Sequence, residues 1–190
     1  NQDASSLGNN QVYTLCEDIH KNIWIGTSRG VYIFNCNTEK FGFFTHTTEF
    51  GVLISSEIKK IVLTKSGKIW IATLGQGFFI YDPERKKLVQ DSSFTSFVWD
   101  ISEDSSGNIY LSSHEEGLLC FDQRGNFIQK EDSYISLENK GNIKINSIKN
   151  IDNGIWFSVG TTHLGYLNPK NWKCIYYESK EAGSIRAISE

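Results

Sequence analysis

The chain has 190 residues, is 39% hydrophobic and 22% charged, and carries a formal net charge of −3. That is enough apolar content for a sizeable core, and the acid excess argues against a nucleic-acid surface, which needs a basic stripe. No apolar run is long enough for a membrane-spanning helix.

With no Met and an opening Asn1-Gln2-Asp3, the chain reads as a piece of a longer protein. Cys16, Cys36, Cys120 and Cys174 form neither a CxxC pair nor a Cys/His zinc spacing. Free thiols are expected, with no metal and no cofactor.

The first unit opens on Val12 and Leu15 and passes through a polar turn that begins at Asp18. It continues as the strand Asn22-Ile23-Trp24-Ile25-Gly26-Thr27, then Gly30-Val31-Tyr32-Ile33-Phe34-Asn35, then a weaker strand around Phe41 to Phe44. The second unit has Ile58 and Ile61, a turn closing at Gly67, then Lys68-Ile69-Trp70-Ile71-Ala72-Thr73. Gly77 to Asp82 and Lys87 to Val89 complete it. In the third, Val98 and Ile101 lead to a turn from Asp104 to Gly107, then Asn108-Ile109-Tyr110-Leu111-Ser112-Ser113, Gly117 to Asp122, and Phe127 to Gln129. The fourth runs from Ile145 and Ile148, with Gly154 expected in the turn, to Ile155-Trp156-Phe157-Ser158-Val159, His163 to Asn168, and Lys173 to Tyr176.

The strands are short, β-branched and aromatic, bounded by Gly, Asn and Asp, and no stretch shows helical periodicity. The anchors Trp24, Trp70, Tyr110 and Trp156 lie 46, 40 and 46 residues apart, the period of a four-stranded propeller blade. The expected fold is an all-β β-propeller: four four-stranded antiparallel blades forming a partial ring, plus the first strand of a fifth. The repeats fall at about 11–56, 57–96, 97–142 and 143–183, with 184–190 beginning the next.

These repeats resemble the two-component regulator propeller repeat. The likeness is carried by Val12, Leu15 and Asp18, by Asn22-Ile23-Trp24-Ile25-Gly26-Thr27, and by Gly30-Val31-Tyr32-Ile33-Phe34-Asn35. Tyr110, Ser112-Ser113 and His163 depart from the pattern. The resemblance implies the periplasmic sensor of a hybrid two-component system of Bacteroides type, detecting breakdown products of complex glycans. In that family paired seven-bladed propellers precede a membrane helix and cytoplasmic kinase domains. The WD40 and kelch signatures fit less well. Streptogramin-lyase-like propellers, which are metal-using enzymes, share the Gly-x-Ile-Trp strand and stand as an alternative, as does a scaffold that only supports dimerisation.

Ligand contacts are expected in the turns between second and third strands, which differ between copies on a constant frame. They supply Arg29, Gln76, His114, Glu115 and His163. Trp99 stands where the other copies carry Tyr13, Lys59 and Asn146, and is the aromatic expected to meet a sugar. The recurring Trp24, Trp70 and Trp156, with Tyr110, are expected to pack between blades. The ordinary alternative for the turn residues is solvated loop. The longest loops, Thr47 to Ser56 and Ser133 to Asn142, could form a rim. No nucleophile–base pair or phosphate loop stands out, so this segment is not expected to be an enzyme. An oligosaccharide is the expected ligand and a homodimer the expected assembly. No nucleic acid is expected to bind, and membrane contact only through the parent protein.

Overall fold

The computed structural model describes residues 6–91, 93, 97–131, 144–160 and 162–178. These contain sixteen strands in four antiparallel sheets of four, each sheet built from consecutive strands. The first sheet is β1 (Val12–Glu17), β2 (Ile23–Thr27), β3 (Gly30–Asn35) and β4 (Lys40–Phe43). The second is β5 (Glu57–Leu63), β6 (Ile69–Leu74), β7 (Phe78–Asp82) and β8 (Lys87–Gln90). The third is β9 (Val98–Glu103), β10 (Ile109–Ser113), β11 (Gly117–Phe121) and β12 (Phe127–Glu131). The fourth is β13 (Ile148–Ile151), β14 (Gly154–Val159), β15 (His163–Asn168) and β16 (Lys173–Glu178). This is an all-β fold of four propeller blades in an unclosed array. The strand expected at 184–190 and the loop at Ser133 to Asn142 lie outside the described residues.

Two compact units contain two blades each, residues 1–98 and 99–190. In the first, one face of β2 and β3 packs on one face of the second blade. Trp24, Val31 and Phe44 meet Ile58, Ile61, Ile71, Phe79, Tyr81 and Leu88. In the second, Tyr110, Leu118 and Cys120 meet Ile148, Ile155, Phe157 and Leu167. Each unit is thus held by the apolar face that one blade lays on the next. Trp24, Trp70 and Tyr110 are buried, and Trp156 is half-buried against Tyr166 and Tyr177.

The residue following each Ile-Trp-Ile core is small. A Cβ on Gly26 would stand 2.5 Å from Thr14 Cγ2 and 2.6 Å from Ile58 Cγ2. The equivalent Ala72, Ser112 and Ser158 are fully buried. The next residue, Thr27, Thr73 or Ser113, caps the following turn. Its hydroxyl oxygen accepts from the backbone N–H of Arg29, Gln76 or Glu116.

The first hairpin of each blade is closed in two ways. In blades one and three an Asp carboxylate holds the turn. Asp18 accepts from His20 N at 2.8 Å and Asn22 N at 2.9 Å, and Asp104 accepts from Ser106 N and Asn108 N in the same pattern. The positive φ needed inside this turn falls on Lys21, Gly67 and Gly107 in successive copies. Blade four departs from expectation. Gly154 is the first residue of β14, and the turn is made by Asp152 and Asn153, at φ 49° and 62°. Two successive residues of positive φ define the tight hairpin turn that Asp and Asn favour. Gly154 is needed for another reason, since a Cβ there would strike the Tyr166 ring.

The same Asp also anchors the blade's central aromatic. Trp24 Nε1 donates to Asp18 Oδ2 at 3.0 Å, and Tyr110 Oη donates to Asp104 Oδ2 at 3.3 Å. Burial works against the charged form of Asp18. The hydrogen bonds from Trp24, Asn22 and His20 outweigh it and hold the carboxyl below its usual range. Stability from this source is complete above the unfolded value of about 3.9 and is lost as pH falls through the lower folded value. Asp18→Ala leaves a buried indole N–H without its acceptor, which costs about 1–3 kcal/mol. Urea titrations followed by tryptophan emission should show that loss at neutral pH and a shrinking difference between the two proteins toward acid. A difference independent of pH would mean that the carboxylate charge is not its source.

Candidate functional site

The first strands of blades one and two each carry one residue out of register with β-pairing. In β1 the ladder skips from Val12 to Thr14, and in β5 from Ile58 to Lys60. Tyr13 and Lys59 are therefore bulge residues, and a bulge re-aims its side chain. Trp99 and Asn146 occupy the same repeat position in the second unit. There the small residue of strand two has a hydroxyl that takes up first-strand backbone. Ser112 Oγ accepts from Asp100 N at 2.8 Å, and Ser158 Oγ accepts from Asn146 N and Ser147 N at 3.2 and 3.1 Å.

Within each unit these positions from neighbouring blades come together. In the first, Lys59 Nζ lies 4.9 Å from the centre of the Tyr13 ring and pairs with Glu57. In the second, Trp99, His114, Asn146 and Lys144 line a cleft of about 430 Å³. The rings of Trp99 and His114 stack at 4.6 Å with their planes 19° apart. His114 Nε2 lies 3.3 Å from Asn146 Oδ1 and donates to it when that nitrogen carries the proton. The wall beneath is fixed by Asp100, whose Oδ2 accepts from Ile148 N of the next blade at 2.9 Å.

Two of the residues expected from sequence, Trp99 and His114, thus meet in one cleft. The others do not join them. Gln76 holds its own neighbourhood together. Its Oε1 accepts from Ser55 N and Ser56 N, each at 2.9 Å, and its Nε2 donates to Leu53 O at 3.0 Å. Arg29 and Glu115 are exposed on their turns. His163 opens β15 paired to Val159, with its Nδ1 3.0 Å from Thr162 Oγ1. It takes no left-handed conformation. Among the described residues the positive φ of that turn sits on Gly160 instead. The loop starting at Thr47 closes on itself through Thr48 N and Val52 O, bridges to Leu88 beside it, and leaves Phe50 exposed at its tip.

Lys144 was not singled out from sequence. It lies two residues before the bulge position, where the other copies hold Gln11, Glu57 and Phe97. Aligning the copies there exposes the change of charge. Among the described residues no group of three His, Cys, Asp or Glu side chains is arranged to hold a metal ion. Among the described residues no carboxylate lines the cleft. The arrangement offers an aromatic plane, an imidazole, an amide and an ammonium, which is recognition chemistry.

Gln76→Ala should lower stability by about 1–2 kcal/mol, since it removes three hydrogen bonds to one loop, two of them partly buried. Arg29→Ala, on an exposed turn, should change it little. Equal effects in denaturant melts would contradict this division of roles.

The family model described as "Two component regulator propeller" matches residues 6–29. No curated protein matches the chain in sequence. Among solved structures, one similar fold is the extracellular domain of a protein described as a hybrid two component system from B. thetaiotaomicron. It is 23% identical, with a TM-score of 0.70 over 97% of this chain and 25% of that one. The extracellular domain of a protein described as a one component system from the same organism is 20% identical, with a TM-score of 0.69 over 90% of this chain and 26% of that one. A catalytically inactive virginiamycin B lyase from Staphylococcus aureus, bound to quinupristin, is 14% identical, with a TM-score of 0.73 over 96% of this chain and 61% of that one. The chain spans about a quarter of the length of the two extracellular domains. The β-propeller fold is shared with the extracellular domains of these one and two component systems and with a lyase alike, and residues 6–29 match the two component regulator propeller model.

Proposed function

We propose that this chain is part of the extracytoplasmic sensor of a hybrid two-component regulator, that it faces the periplasm, and that it detects a glycan or oligosaccharide and signals to a cytoplasmic histidine kinase. The observation that carries the reading is the cleft of Trp99, His114 and Asn146. Side chains at a repeat position that varies from copy to copy converge there on a constant frame. A pyranose presents weakly positive C–H groups that suit the face of an indole. The family repeat at 6–29 supports the regulatory class, and the extracellular domains of like fold support the location. The segment is read as non-catalytic, because its cleft of aromatic, imidazole, amide and ammonium groups suits recognition. Calorimetric screening against oligosaccharides from digested polysaccharides should yield a binder whose affinity falls about tenfold in Trp99→Ala, the loss of one stacking contact. If none binds, and ligand-induced transcription by the parent regulator survives Trp99→Ala, the reading is lost.

A second reading, a surface for association with another copy, rests on Leu15. The equivalent Ile61, Ile101 and Ile148 are 2%, 3% and 4% exposed, yet Leu15 is 64% exposed. Val12 and Ile19 are exposed beside it. A position that is core in three blades and bare in the first is suited to cover by another blade. Sedimentation should show a dimer that Leu15→Glu converts to monomer. A wild-type chain that stays monomeric at all concentrations rules the homodimer out.

A further inference from the structure

We propose that the Trp99 cleft is selective for an anionic sugar, one bearing a carboxylate or a sulfate, and that Lys144 is the residue that selects it. The proposal rests on the reading of this cleft as a glycan site and narrows it to a charge class. Lys144 is exposed, and among the described residues no carboxylate pairs with it. Its place in the repeat makes this informative. At the same position blade two has Glu57, which forms an ion pair with Lys59 at the bulge. Blade four has Lys144 at the first position and Asn146 at the second. The acid has been replaced by a base and the base by an amide, so an internal pair becomes an ammonium that no carboxylate among the described residues pairs. That ammonium lines the cleft with an aromatic plane.

The neighbouring groups keep the charge available. Asn146 is neutral and faces His114. Asp100, the nearest acid on the first strands, has both oxygens engaged by backbone, Oδ1 with Ile101 N and Oδ2 with Ile148 N. Glu116, on the turn after His114, has Lys130 4.0 Å away. A sugar ring lying on Trp99 would therefore meet the Lys144 ammonium together with the His114 imidazole and the Asn146 amide. Lys meets an anion as a point charge, which does not distinguish carboxylate from sulfate, so the shared anionic chemistry is what the cleft reads.

The test is calorimetric titration of the chain with three probes: a glucuronate-containing disaccharide, a sulfated disaccharide, and cellobiose as the neutral one. At least one anionic probe should bind about tenfold more tightly than cellobiose, as expected for a single charge-assisted contact. That preference should shrink with added salt and vanish in Lys144→Ala. Lys144→Ala is an exposed change that leaves the fold intact, so its thermal melt should match that of the parent chain. If the anionic preference survives in Lys144→Ala, Lys144 does not select. If cellobiose binds as tightly as the anionic probes and Trp99→Ala abolishes both, the cleft is a glycan site without charge selectivity and this inference alone fails. If no probe binds and Trp99 emission is undisturbed, this inference and the glycan reading fall together. Comparison of the carboxylate and sulfate arms identifies the source of the anion.

Discussion

The constraint on which the packing of neighbouring blades depends is the contact at the end of the second strand. A side chain on Gly26 would collide with Thr14 in its own blade and Ile58 in the next. Nothing larger than a methyl or a hydroxymethyl group occupies the equivalent sites, Ala72, Ser112 and Ser158. Close approach at that point presses the first strand against its neighbour, and the strand yields by one residue. The bulge at Tyr13 and Lys59 follows. A bulge takes backbone groups out of the ladder, and buried backbone groups need partners. In the second unit the small residue supplies one itself, through Ser112 Oγ and Ser158 Oγ. Trp99 and Asn146, which reach the cleft, are the repeat equivalents of those two bulge residues.

A second tie keeps those positions in step between blades. Thr14 Oγ1 accepts from Ile61 N, and Asp100 Oδ2 accepts from Ile148 N. Thr14 and Asp100 are repeat equivalents, as are Ile61 and Ile148, so each unit uses the same register. The ionised acceptor makes the stronger bond, 2.9 Å against 3.4 Å. The unit whose first strands carry the cleft is the one joined by the firmer link. Lys144 and Asn146, two residues apart just ahead of β13, line the cleft together with Trp99 and His114 of the neighbouring blade. For this reason a swap of charge type between copies has a defined spatial consequence.

The frame was legible in sequence because it repeats. Trp24, Trp70, Tyr110 and Trp156 mark the second strands, and the third and fourth strands follow within a residue or two of their expected bounds. Half of the cleft was legible too. Trp99 and His114 stood out as departures from a repeated frame, and their stacking brings them together. What sequence could not show depended on chain segments meeting through space. Gln76 looked like a variable turn residue, but its amide meets the backbone of a loop about twenty residues earlier. Lys144 lay outside the strand pattern, at the end of the longest loop, where no periodicity directs the eye. Gly154 was misplaced because blade four uses a shorter turn than its siblings.

Burial of a repeat residue is a property of its neighbour as much as of itself. Trp24 and Trp156 hold the same place in the same strand, yet one is buried and the other only half-buried. Trp24 has Phe44 and the second blade's Tyr81 against it. Trp156 has only residues of its own blade, Tyr166 and Tyr177, and Ile175 beside Tyr177 is half exposed. An exposed tryptophan in a propeller is therefore no sign of a binding site until its equivalents have been compared. Trp156 fails that comparison, because its copies are core. Trp99 passes it, because its copies are Tyr13, Lys59 and Asn146, residues with no common packing requirement. A position that tolerates a phenol, an ammonium, an indole and an amide is not set by the core. That freedom is the physical reason a recognition surface can be written there without disturbing the blades.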